Sequence, residues 1–165
     1  MAPHEVYRLD TGHGDYRPDG WHHRAVHSCA EIEPVLTGVM EELQAAGYSR
    51  KEIFGVHLAL EEAIVNAIKH GHRGDPTKEV RVRYRVTCAG VFAEVEDQGP
   101  GFDPRAVPDP TLPENRERPG GRGLLLMRAY TTWVRHHGRG NCVTLCQRRA
   151  APPAVEGGPG GGARV

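Results

Sequence analysis

Asp97 is followed at two-residue intervals by Gly99 and Gly101 in "VEDQGPGFDP". An aspartate at a strand end can accept a hydrogen bond from an exocyclic amine while the adjoining backbone fixes the plane of a flat ligand. Glycines let such a ligand approach the main chain and let the chain turn with positive φ. The same residues also suit an ordinary glycine turn that Asp97 caps locally. A second set, Gly120, Gly121 and Gly123, opens an apolar segment. Amides at a helix N-terminus with no side chains in the way form a phosphate site, to which Arg118 and Arg122 can add charge. A hinge between a lid and a helix would use the same glycines. No Lys-Ser/Thr pair follows them, so this is not a P-loop, and no strand leads directly into them, so it is not a dinucleotide fingerprint. A third set, Glu62 and Asn66, stands four residues apart and therefore on one helix face, with Lys69 and His70 continuing the line. These four would equally fill the polar stripe of any amphipathic helix.

The surrounding pattern supplies the elements that position these sets. Ile32, Val35, Leu36, Val39, Met40 and Leu43 recur at three- and four-residue steps, which predicts a helix from Glu31 to Ala46 with Ser28 as its cap and Gly47 as its stop. Ser49 and Glu52 form a capping-box pair for a second helix running to His70 and ending at Gly71. Its buried stripe is Ile53, Val56, Leu60, Ile64 and Ile68. "EVRVRYRV" alternates strictly, with Val80, Val82, Tyr84 and Val86 facing the core and Arg81, Arg83 and Arg85 on a solvated face. "GVFAEVED" is the next strand after a hairpin turn at Ala89-Gly90, and it delivers Asp97 to its end. Residues 104–120 hold five prolines and read as a long loop of the lid or binding type. "GGRGLLLMRAY" starts a third helix, and "TTWVRHHG" with "NCVTLCQRR" closes as a hairpin around Gly138 to Asn141. "EVYRL" and "WHHRAVHS" within residues 1–28 read as one or two strands. The order implies an α/β (α+β) two-layer sandwich: a mixed, mostly antiparallel sheet covered on one face by about three helices. Residues 1–149 form a single domain and 150–165 a disordered Gly/Pro-rich tail.

Composition narrows the class of function. The 165 residues carry 21 basic and 21 acidic side chains, so no global basic field recommends nucleic acid as a partner. No apolar run spans a bilayer and the N-terminus lacks the order of a signal peptide, which makes the cytoplasm the expected location. Cys29, Cys88, Cys142 and Cys146 form no CxxC pair and read as reduced structural thiols. His22, His23 and His27, like His136 and His137, lack a third donor at metal-site spacing and read as strand histidines.

The order of the three sets is more specific than any one of them. A helix with Glu-x-x-x-Asn, a strand ending Asp-x-Gly-x-Gly-Phe and a long loop closing on Gly-x-Gly-Leu resemble the GHKL (Bergerat-fold) ATPases over residues 30 to 148. Within that group the sequence is most similar to the small anti-sigma-factor serine/threonine kinases. "LEEAIVNAIKHGH" resembles their N-box, "EDQGPGFDP" their first glycine box and "PGGRGLLLMRAY" their second. The resemblance implies ATP and Mg²⁺ as cofactors. It implies Asn66 as the Mg²⁺ ligand, Glu62 as the general base, Asp97 as the partner of the adenine amine, and Gly99 and Gly101 as the walls of the adenine pocket. Gly121 and Gly123, with the lid, would hold the phosphates, and Lys69 or Arg118 would touch the phosphate tail.

The same resemblance implies a partner-switching role. The chain would phosphorylate a STAS-type anti-anti-sigma protein, sequester a sigma factor, and form a homodimer through its sheet or first helix, with no direct contact to nucleic acid or membrane. Two other functions use the same motifs: an ATP-binding regulatory module without phosphotransfer, and a stand-alone ATPase switch.

Overall fold

A computed structural model describes residues 20–112 and 122–150. The strand expected at "EVYRL", the tail after Ala150, and the stretch holding Arg118, Gly120 and Gly121 lie outside those residues.

The expected two-layer sandwich forms. Strands β1 (His22–Val26), β2 (Val80–Val86), β3 (Gly90–Glu96), β4 (Trp133–His137) and β5 (Cys142–Arg148) make one sheet in the order β1-β2-β3-β5-β4. All four pairings are antiparallel, so the parallel component of a mixed sheet is not used among the described residues. Helices α1 (Ile32–Ala45), α2 (Arg50–Asn66) and α3 (Arg122–Tyr130) complete the fold. One core joins the layers: Val35, Leu36, Val39, Leu43, Leu60 and Ile64 from the helices pack with Val82, Tyr84, Ala93, Val95 and Leu145 from the sheet.

Local chemistry accounts for the element ends. α1 starts one residue later than the periodicity predicts, after a 3₁₀ turn at Cys29–Glu31. Ser28 accepts no main-chain N–H there, and its Oγ donates to Glu31 Oε1 (2.9 Å). At the other end Gly47 adopts φ 75, and the N–H groups of Gly47 and Tyr48 reach Gln44 O and Leu43 O at 3.0 Å, a Schellman closure. α2 has the full capping box: Ser49 Oγ accepts from Glu52 N–H at 3.3 Å and Glu52 Oε2 accepts from Ser49 N–H at 2.9 Å. Beyond Asn66 the helix widens into a π-turn at Ala67–Gly71, with His72 N–H bonded to Ala67 O at 2.9 Å. Such widenings recur where a helix must redirect functional side chains.

Two expectations about the sheet are corrected. Gly90 is already paired in β3, and the hairpin turn is Thr87 to Ala89, tied by Thr87 N–H to Gly90 O (3.0 Å) and Gly90 N–H to Thr87 Oγ1 (3.1 Å). The arginine face of β2 is not simply solvated. Arg83 is half-buried, holding Glu94 Oε1 at 2.7 Å through Nε and 2.6 Å through Nη2, and its guanidinium lies over the Trp21 ring. All four cysteines are free thiols, and burial pushes Cys142 up to about 12 and Cys146 up to about 11, which keeps both unreactive. No helix among the described residues is long and apolar enough to cross a membrane.

Candidate functional site

A cleft of about 500 Å³ opens between the C-terminal half of α2, the end of β3, the start of α3 and the β4–β5 turn, a size suited to a small-molecule ligand. Glu62, Asn66, Lys69, Asp97, Gly101, Arg122 and Gly123 all line it, so all three sequence sets meet at one place. Gly99 is buried and does not line it. Arg118 and Gly121 lie outside the described residues.

At one end of the cleft stands Asp97. The β3–β5 pairing sets Glu96 opposite Cys142, which carries the next residue, Asp97, against the β4–β5 turn. Asp97 N–H donates to Asn141 O (2.9 Å) and Asn141 Nδ2 donates to Asp97 O (2.8 Å). Asp97 Oδ1 accepts Gly99 N–H at 2.7 Å, so the residue does cap its own turn. That bond orients the carboxylate and leaves Oδ2 as the acceptor that a ligand amine can use. Burial raises the Asp97 carboxyl above the usual aspartate value, against the lowering effect of the Gly99 N–H and of His72.

The backbone around it interlocks. A Cβ on Gly71 would stand 2.7 Å from Asp97 Oδ2, and a Cβ on Gly99 would run into the carbonyl of Gly71. The end of α2 and the loop after β3 therefore touch main chain to main chain, which only glycine permits. Gly101 takes φ 77 and backs onto the carbonyl of Arg139, whose own Nε donates to Gly99 O at 3.1 Å.

At the other end Gly123 lies against the polar line of α2. A Cβ placed there would be 2.8 Å from Asn66 Nδ2 and 3.1 Å from Glu62 Oε2. The first turn of α3 thus presents bare backbone to a carboxylate and an amide one helical turn apart. A helix start with free amides suits anionic oxygens, a carboxylate can take a proton, and an amide oxygen can ligate a hard cation. Lys69 and His70 are exposed at the rim on the widened turn, and Arg122 is exposed at the start of α3.

Several contributors to the cleft were not picked out from the sequence. His136, half-buried and set edge-on to Phe102 at 5.5 Å between ring centroids, lines it, and burial lowers its pKa from the ordinary value. Gly71, His72, Arg139 and Asn141 build the Asp97 end. The Gly138 to Asn141 turn was visible as a hairpin, but nothing local to it signals a contact with Asp97.

Comparison with known proteins agrees with this geometry. Residues 26–147 match the histidine kinase-like ATPase domain. The chain is 34% identical over 112 residues to the serine-protein kinase RsbW of Bacillus licheniformis, a match covering 63% of this chain and 67% of that one. It is 31% identical over 112 residues to serine-protein kinase RsbW of Bacillus subtilis, with the same shares. To the serine-protein kinase RsbW of Oceanobacillus iheyensis it is 24% identical over 127 residues, covering 73% of this chain and 78% of that one. A nucleotide-sized cleft lined by the ordered sets of Glu62 and Asn66, Asp97 and Gly101, and Arg122 and Gly123 accords with those matches, and the chain belongs to the family of histidine kinase-like ATPase domains.

Proposed function

We propose that this chain is an ATP-dependent serine/threonine protein kinase that phosphorylates a hydroxyl on a small STAS-type antagonist and sequesters a sigma factor while that antagonist is phosphorylated. In this reading it works as a homodimer. The carrying observation is that Gly123, Asn66 and Glu62 meet at one end of the cleft whose other end is Asp97. The likeness to serine-protein kinases supports transfer to protein over simple hydrolysis.

Each residue then has a task. Asp97 Oδ2 accepts from the adenine amine, and Gly99 and Gly101 shape the space for the ring. Backbone at Gly121 and Gly123 holds the phosphates, Lys69 or Arg118 touches the phosphate tail, and Arg122 adds charge at the helix start. Asn66 offers an amide oxygen, which fits the oxygen preference of Mg²⁺, and the ion, when bound, neutralises phosphate charge. Glu62 takes the proton from the attacking hydroxyl. The new bond joins that oxygen to the γ-phosphorus, the bond from the γ-phosphorus to the bridging oxygen breaks, and ADP leaves. Positioning and charge neutralisation carry most of such catalysis.

Incubation with labelled Mg-ATP and a STAS-type antagonist is expected to label a serine or threonine of the antagonist. Tight ATP binding with no label transfer sinks the kinase claim. Phosphate release without labelled protein identifies an ATPase instead. A narrower expectation concerns the interlock at Gly71. Gly71→Ala should weaken ATP binding about tenfold or more, because the added methyl must displace the Asp97 carboxylate. Titration with a fluorescent ATP analogue reads this directly.

A further inference from the structure

His72 follows the π-turn and is only 2% exposed, a rare degree of burial for a histidine. Its Nε2 lies 3.0 Å from the main-chain N–H of Gln98, the residue next to Asp97. A ring nitrogen that accepts a hydrogen bond carries no proton, so the neutral tautomer has its hydrogen on Nδ1. That Nδ1 is buried and has no hydrogen-bond partner among the described residues. An unsatisfied buried donor is costly, and a native protein that keeps one calls for a reason.

The surroundings supply the reason. Gln98 is held from two sides, its N–H by His72 and its side-chain Oε1 by the N–H of Glu79 (3.0 Å). Asp97 sits on Gly71, immediately before His72, and Asn141 grips Asp97 from the β4–β5 turn. The imidazole is therefore the one side-chain tie, among the described hydrogen bonds, from the end of α2 to the segment that carries Asp97. We propose that His72 is a positioning residue for nucleotide recognition, with its neutral Nε2 fixing the Asp97–Gly99 segment at the distance from α2 that the adenine ring requires. This inference rests on the reading of Asp97 as the adenine partner.

The charge state is consistent with that role. Burial is the main influence and lowers the imidazole below its ordinary value of 6.5, with Lys78 and His27 acting in the same direction and Asp97 and Asp75 opposing. A neutral ring is the resting form at pH 7. The sign for stability follows: below pH 6.5 the unfolded chain takes up the proton more readily than the folded one. Stability is then complete above 6.5 and falls as pH drops toward the lowered folded value. A glutamine at this position removes that contribution.

The test compares His72→Leu, which keeps bulk and loses the acceptor, with His72→Gln, whose Oε1 can take the place of Nε2. Calorimetric titration with Mg-ATP is expected to show about a tenfold loss for His72→Leu and recovery to within about threefold for His72→Gln. Binding of Mg-tripolyphosphate should not change in either variant, and kcat at saturating ATP should hold while KM rises. Nitrogen NMR of the wild type should show Nε2 unprotonated at pH 7.5, and this measurement decides the matter if His72→Leu does not fold. Wild-type affinity in His72→Leu, equal loss in both variants, or a protonated Nε2 overturns the proposal. A wild type that does not bind ATP at all overturns the parent reading together with this one. A wild type that binds ATP beside an unaffected His72→Leu overturns this one alone.

Discussion

Asp97→Asn is expected to lower ATP affinity about a hundredfold in a protein that stays folded. The substitution changes few atoms but reverses hydrogen-bonding capacity at one of them. Oδ1 accepts Gly99 N–H at 2.7 Å, and an asparagine oxygen can keep that bond. The amide NH₂ then takes the place of Oδ2 and faces the adenine amine, donor against donor. The fold has no reason to suffer. Burial raises the Asp97 carboxyl above the ordinary aspartate value, so its ionised form costs folding stability that grows as pH rises through the folded value. Removing the charge removes that cost, and Tm at pH 7.5 should stay level or rise slightly. Calorimetry against ATP together with a thermal melt reads both halves. Unchanged affinity, or a loss that merely tracks unfolding, means that Asp97 does not read the base.

Glu62→Gln should cut phosphotransfer about a hundredfold or more while ATP affinity stays within about threefold. Glutamine keeps the volume of Glu62 against the start of α3, where Gly123 comes close to both Glu62 and Asn66. Only the capacity to accept the hydroxyl proton is lost. A single-turnover assay with saturating ATP separates the step from binding. If ATP affinity falls as far as the rate does, Glu62 is a binding group and the base must be sought elsewhere. Paired with Asp97→Asn, the variant divides the cleft into an end that governs affinity and an end that governs rate.

What the sequence revealed is what acts over a few residues. Capping of α2 depends on Ser49 and Glu52, three positions apart, and its box forms as expected. Alternation over Val80 to Val86 depends on the two-residue period of a strand, and it places Val80, Val82 and Tyr84 in the core. Ser28 and Glu31 have the same spacing as Ser49 and Glu52 yet form no cap, so local spacing alone does not decide whether a box forms. Arg83 was misread as solvated because its partner, Glu94, lies on the next strand.

The candidate site divides the same way. Glu62 with Asn66, Asp97 with its glycines, and Gly123 at a helix start were each visible as residue types in order, because each set lies within one turn of one element. Their union was implied only by the resemblance of their order to a known family, and nothing in the residues themselves shows what brings them together. It depends on β5 inserting between β3 and β4, which brings Asn141 to Asp97 across 44 residues of chain and Arg139 to Gly99 across 40. It also depends on the π-turn after Asn66, which lays Gly71 against the Asp97 carboxylate and turns His72 inward to Gln98. Periodicity and capping are properties of neighbours in sequence, so the sequence alone determined the elements and the chemical types they carry. Which main-chain atoms touch after the sheet closes is a property of distant segments, so only the tertiary structure decided how Asp97 is held.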